Sequence, residues 1–296
     1  MKITIGARTA KVSLVYAKSV AKLLETAGAE VKLKPIPVIG DSLDVGLAGQ
    51  RGVHVFTKEI DEALAKGEID LAVHDMSHLA ATLPPNVSIA AVPARLDPSE
   101  AFLSNKAKRL AALPKGARIG VAGASRAPQL AHMGRDFQIM SIITDAEANL
   151  RAVSDGAADA VIMSSAELMR LGVAKAILER LPLDKLIPAV GQGALAVEVR
   201  SDRKDLIKFV AAACHHPASG VSMKAERAFL KAISQAAGAV FAANAEVVPS
   251  GLSIVGFVSR SEGSGFASDK EGGKIEEAAE LGKRLAEKLF KKFQAN

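Results

Sequence analysis

A chain of 296 residues with 49% apolar side chains is long enough for two or three domains, each burying its own core. A single cysteine, Cys214, excludes an intramolecular disulfide and a cysteine-rich zinc site, and it points to a reducing, cytoplasmic setting. Lys and Arg exceed Asp and Glu by 38 to 32, a net charge of +6 that suits anionic small molecules; with no Trp and one Tyr, no basic patch is interleaved with aromatics, which argues against nucleic acid.

The opening MKITIGARTAKV alternates apolar and polar residues and reads as a strand, not a signal peptide. A strand at 3–5, a helix over 13–27, a strand at 31–33, a helix over 56–66 and a strand at 69–73 follow in turn. A second round runs through a strand at 118–122, a helix near Gln129, a strand at 138–142, a helix over 147–154 and a strand at 159–163. This alternation predicts α/β with largely parallel sheets. The last third differs: a helix over 219–233, strands at 240–242 and 252–258 around the turn Pro249-Ser250-Gly251, and a terminal helix over 274–293. In that helix Leu281, Leu285, Leu289 and Phe293 define the buried face, which puts Lys283, Arg284, Lys288, Lys291 and Lys292 outside, in solvent. No run approaches the roughly 20 apolar residues that span a bilayer.

The two rounds open alike, with a strand running into GARTAK at 6–11 and another into GASRAP at 123–128. Small residues let such a turn close; they also expose backbone N–H groups at a helix start, where an arginine adds a fork for carboxylate or phosphate. Recurrence in both halves favours an anion cleft, with Arg8, Lys11, Ser125 and Arg126 as its anchors.

The stretch VHDMSHLA at 73–80 sets His74 and His78 four apart with Asp75 beside the first. Zinc needs both rings on one helix face plus further ligands, and none is apparent, so no metal ligand is assigned. Packing of His74 at a strand end with a solvent-facing His78 is a second reading. A third is an acid/base site of His78 and Asp75 at the strand's carboxyl end, where open α/β sheets bind ligands. His215-His216 reads as structural.

Several strings together resemble hydroxymethylbilane synthase, the porphobilinogen deaminase family, in order and spacing: DPSEAFLS (97–104), IPAVGQGALAVEVR (187–200), HHPASGVSMKAERAFL (215–230), Gly40-Asp41 and FTKEIDEAL (56–64). The resemblance spans nearly the whole chain and implies two periplasmic-binding-protein-like α/β domains around a cleft plus a small C-terminal α+β domain. The expected division is 1–95 with 192–212, then 96–191, then 213–296.

Three departures stand out against the family pattern. Its dipyrromethane cofactor hangs from a cysteine ten residues after Ala-Glu-Arg, and here that position is Ala237. Its His-Ser-Met-Lys-Asp, whose aspartate stabilises positive charge on the pyrroles, is here His74-Asp75-Met76-Ser77-His78. A histidine cannot supply a constant negative charge near neutral pH. Three of four arginine positions implied to grip substrate and cofactor carboxylates are missing: Arg126 remains, Arg151 lies two residues past the last, and Arg8 separately matches the family's first-turn arginine.

The resulting expectation is a protein of tetrapyrrole (haem) biosynthesis that has lost deaminase chemistry and carries no cofactor. It would act on hydroxymethylbilane as a uroporphyrinogen-III-synthase-type dehydrating cyclase, with His78 or Asp75 as the acid and Arg8, Lys11, Ser125, Arg126 and Arg151 holding the carboxylates. The alternatives are a non-catalytic binder of a linear tetrapyrrole or related polycarboxylate, and a divergent synthase using a non-covalent primer. A monomer with neither nucleic-acid nor membrane partners is expected.

Overall fold

The computed structural model describes residues 1–41, 53–142 and 146–295. The chain opens with β1 (Lys2–Arg8), α1 (Lys11–Thr26), β2 (Glu30–Ile36), α2 (Lys58–Ala65), β3 (Leu71–Asp75) and β4 (Val87–Ala91). In β1 the inward residues Ile3, Ile5 and Ala7 repeat every second position, and α1 buries Tyr16, Ala17, Val20, Ala21 and Leu24 at helical spacing. The two patterns meet in one core, and β1 lies between β2 and β3, parallel to both.

A second sheet forms from β5 (Glu100–Ser104), β6 (Arg118–Val121), β7 (Gln138–Ser141), β8 (Ala160–Ser164) and β9 (Glu179–Leu181), in the order β7-β6-β8-β5-β9. It carries α3 (Arg126–His132), α4 (Ala146–Ser154) and α5 (Ser165–Arg170). The chain then returns as β10 (Leu195–Arg200), which inserts between β3 and β4 to give the first sheet the order β2-β1-β3-β10-β4. The parallel expectation therefore holds only for the triplets β2-β1-β3 and β7-β6-β8. β10 runs antiparallel to β3 and β4, and β5 antiparallel to β8 and β9. The two strands that arrive from the other domain, β5 and β10, run against the locally wound strands, and apolar periodicity carries no mark of direction.

After α6 (Lys204–Cys214) the last domain packs α7 (Pro217–Ile233) and α8 (Ala278–Ala295) on the antiparallel meander β11 (Ala239–Val248), β12 (Gly251–Arg260) and β13 (Ala267–Gly273). Gly282 lets the two helices approach, since a Cβ there would sit 2.0 Å from the Ala225 carbonyl oxygen. The fold class is thus the expected one: two α/β domains and a small α+β domain.

The outward lysines of α8 are not all merely solvated. Lys288 and Lys292 donate to Asp269 at 3.0 and 2.6 Å, and Arg284 to Glu271 at 3.2 Å, stapling the helix to β13. The bond from Lys292 pulls the Asp269 carboxyl down from 3.8 to about 2. A carboxyl depressed in the folded state stabilises it above its ordinary pKa and loses that contribution as pH falls through the folded value. With the lysines half exposed, the contribution is about 1 kcal/mol. Thermal melts should show that part of the stability lost between pH 4 and pH 2 disappears from the profile of Asp269→Asn.

One buried ion pair ties the three domains. Glu226 on α7 accepts from Arg95 Nη1 at 2.6 Å, Gly191 N–H at 2.6 Å and Ala245 N–H at 2.7 Å, while Arg95 Nε donates to the Gln192 carbonyl at 2.9 Å. Arg95 lies on the passage from β4 to β5, and Gly191 and Gln192 on the return. His215 accepts from Val92 N–H at 3.2 Å, and His216 caps α7 through Ser219 N–H.

Candidate active site

Arg8 ends β1 and Asp75 ends the adjacent parallel β3, so both residues reach the same carboxyl edge of the sheet. Asp75 caps the short turn Met76–His78, accepting from Ser77 N–H at 3.0 Å and Ser77 Oγ at 2.6 Å. The turn brings His78 to Arg8, with Nδ1 3.4 Å from Nη1. Phe56 is the common floor: the His78 ring stacks on it at 4.9 Å between centroids, and the Arg8 guanidinium lies 4.4 Å from its centre. Arg8 is also paired with Asp41, its Nε donating to Oδ1 at 3.1 Å, and Thr9 Oγ1 lies 3.4 Å from the other oxygen.

Burial holds the His78 imidazole below its ordinary pKa; Asp75 and Asp41 oppose that shift and Arg8 adds to it. The ring is therefore neutral near pH 7, with Nδ1 placed to accept from Arg8. A neutral imidazole takes up a proton more readily than it gives one, so this environment suits a base better than the acid expected from the sequence. His78 is half-buried against Phe56, not solvent-facing. His74, one layer below, is pushed down to about 3 by burial, with the charges of His78 and Arg8 adding.

Lys11 begins α1, whose N-terminus has no side-chain cap, and its ammonium pairs with Glu147 in the first turn of α4. Arg170 of α5 lies over the Tyr16 ring at 4.8 Å and donates to the Gly193 carbonyl at 2.7 Å. The Lys11–Glu147 pair joins the starts of α1 and α4, while Arg170 joins the end of α5 to the middle of α1. In the second turn Gly123 takes φ +82°, and Ser125 precedes α3 without a capping bond from its side chain. Arg126 is held inward by buried Glu100, Nε to Oε2 at 2.9 Å, by the Ala122 carbonyl and by Gln192 Oε1 at 3.1 Å. Burial pushes the Glu100 carboxyl up, with Arg126 opposing. Arg151 is exposed on α4, and 143–145, part of the stretch compared with the family's arginine motif, lie outside the described residues.

The structure thus gathers Arg8, Asp75 and His78 at one edge and engages Arg126 elsewhere. Asp41, Phe56 and Arg170 belong to this region and were missed. Asp41 and Phe56 lie within quoted family strings, but no local pattern marks them as partners of a residue at position 8. Arg170 closes α5, and no local pattern marks it as a partner of α1.

No thiol is placed for a thioether-held cofactor. Ala237 offers a methyl group in the exposed turn before β11, and Cys214 is buried in the first domain's core, its thiol pushed up to about 11 by burial. The residues present do not fit that attachment.

The family profile "Porphobilinogen deaminase, dipyromethane cofactor binding domain" matches residues 3–208. A porphobilinogen deaminase of Syntrophotalea carbinolica is 36% identical over 291 residues, covering 97% of this chain and 92% of the relative. That of Geobacter metallireducens is 37% identical over 292 residues, covering 98% and 91%. A solved structure, a putative methionine-binding lipoprotein from Bacillus subtilis, matches 71% of the chain and 90% of its own at 16% identity and TM-score 0.43. The full-length relatives overturn the expected uroporphyrinogen-III-synthase-type lyase, and with it the expectation that the chain is no porphobilinogen deaminase; they support that enzyme instead. No helix among the described residues is long and apolar enough to cross a membrane. The chain belongs to the porphobilinogen deaminase family.

Proposed function

We propose that this protein carries out porphobilinogen-deaminase-type coupling in tetrapyrrole biosynthesis on an acceptor oligopyrrole held by charge alone. The observation that carries the reading is the grouping of Arg8, Asp75 and His78 at adjacent strand ends, in a chain whose one thiol is buried elsewhere. Arg8 binds a pyrrole side-chain carboxylate. When the aminomethyl C–N bond of porphobilinogen breaks and ammonia leaves, the ring becomes an azafulvenium cation. The Asp75 carboxylate, fixed by its bonds from Ser77, supplies the negative charge that stabilises it. The α-carbon of the acceptor's terminal ring then forms the C–C bond, and the proton it loses passes to neutral His78. The supporting division of the chain is 1–95 with 192–212, 96–191 and 213–296, with the ligand between the first two domains.

Affinity for hydroxymethylbilane, measured by calorimetry under anaerobic conditions, tests the anchor. Arg8→Ala should weaken binding by about 1.5 to 3 kcal/mol, as for a lost hydrogen bond to a charged group. Asp41→Asn, which releases Arg8 from its internal partner, should bind at least as tightly as the parent. Unchanged affinity in Arg8→Ala places the ligand elsewhere.

A further inference from the structure

Beneath the Asp75–His78 turn lies a second cluster that the proposed chemistry does not use. β10 pairs antiparallel with β3 so that Ala196 faces His74 and Glu198 faces Ala72. Residues two apart share a face, so His74 and Glu198 are diagonal neighbours on one side of the sheet. That side is covered by α2, whose Ile60 and Leu64 pack with Ala72 and whose Asp61 reaches the same spot. His74 Nε2 lies 3.6 Å from Asp61 Oδ1 and 3.5 Å from Glu198 Oε2, and one donor atom from each residue falls within 4.8 Å of the other two.

His74 and Glu198 are almost wholly buried, and neither His74 Nε2 nor either Glu198 oxygen has a hydrogen-bond partner among the described residues. A buried polar atom without a partner costs about 1 to 3 kcal/mol, more when charged, and here three such atoms point into one small space. We propose that Asp61, His74 and Glu198 bind a divalent cation, with Zn2+ the best fit, as a structural brace under the strand that presents Asp75 and His78. Zinc bonds of about 2.0 to 2.2 Å to nitrogen and oxygen set tetrahedral ligands about 3.4 Å apart, close to both His74 separations. An imidazole in the set favours zinc over magnesium or calcium, and two carboxylates balance the ion's charge. The second Glu198 oxygen supplies the fourth donor. Arg227, which donates to the Ala80 carbonyl at 2.7 Å, acts against the ion from the Glu198 side, and Arg8 acts against it from the His74 side.

The test uses the full chain, unfolded in chelator and refolded with or without equimolar Zn2+, then gel-filtered and assayed for metal by mass spectrometry. Expected are one zinc per chain, a higher melting temperature than the metal-free sample, and at least tenfold lower zinc retention in Asp61→Asn and Glu198→Gln. If Glu198→Gln does not refold, Asp61→Asn, at the less buried ligand, carries the comparison. Absence of retained zinc in the parent overturns the proposal: Glu198 is then protonated and donates to His74 Nε2, closing the cluster without metal. Equal retention in parent and Asp61→Asn overturns it too, since zinc would then be held by other residues. Neither readout depends on pyrrole chemistry, so the result is independent of the proposed function.

Discussion

Replacing Glu226 with leucine is expected to cost about 3 to 5 kcal/mol of stability, the scale for leaving one member of a buried ion pair without its partner. The loss has three parts: Arg95 keeps its charge in a site where its side chain is only 9% exposed, and the Gly191 and Ala245 N–H groups lose their acceptor. These groups belong to the passage out of the first domain, the return into it, and a strand of the third. The variant should therefore loosen the junction rather than one core. Denaturant unfolding should show the large loss in Glu226→Leu, and the double variant Arg95→Met/Glu226→Leu should regain part of it, because the stranded charge is gone. Loss equal in single and double variants would mean that packing, not charge, holds the junction.

Asp75→Asn should lower the turnover of porphobilinogen by about 10²- to 10³-fold, the usual cost of removing one group that stabilises transition-state charge. Asparagine keeps an oxygen for Ser77 N–H, so the 76–78 turn survives while the negative charge is removed. Substrate affinity should change little, because the carboxylate acts on a cation that exists only after ammonia begins to leave. Steady-state rates of Asp75→Asn and Asp41→Asn, measured side by side, identify the carboxylate that matters. A full rate in Asp75→Asn with loss in Asp41→Asn would transfer the role to Asp41.

Much of the fold was legible because it is local. Ile3, Ile5 and Ala7 alternate, Leu281, Leu285, Leu289 and Phe293 recur every four residues, and Pro249-Ser250-Gly251 breaks two strands; each pattern formed the predicted element. Strand direction was not legible, since β5 and β10 read the same apolar runs forwards or backwards and only the crossing between domains decides. The site followed the same division. Arg8 and Asp75 stand at strand ends, which a sequence reveals, whereas the Arg8–Asp41 pair spans 33 residues and the Arg95–Glu226 pair 131. Arg126 looked like a ligand anchor because its internal partner, Glu100, lies on β5, distant in sequence from the start of α3. The His78 environment was hidden for the same reason: Phe56 and Arg8 come from distant parts of the chain.

In the proposed reaction the acceptor oligopyrrole is a dissociable ligand. Purified chain supplied with porphobilinogen, with and without added hydroxymethylbilane as acceptor, is followed for porphobilinogen consumption and for the intact mass of the protein together. The predicted result is consumption only when the acceptor is present, a mass equal to the bare polypeptide before and after, and unchanged behaviour in Cys214→Ser. A pyrrole adduct on the chain would contradict the charge-held acceptor, and no consumption above the protein-free rate with acceptor present would contradict the coupling reaction itself.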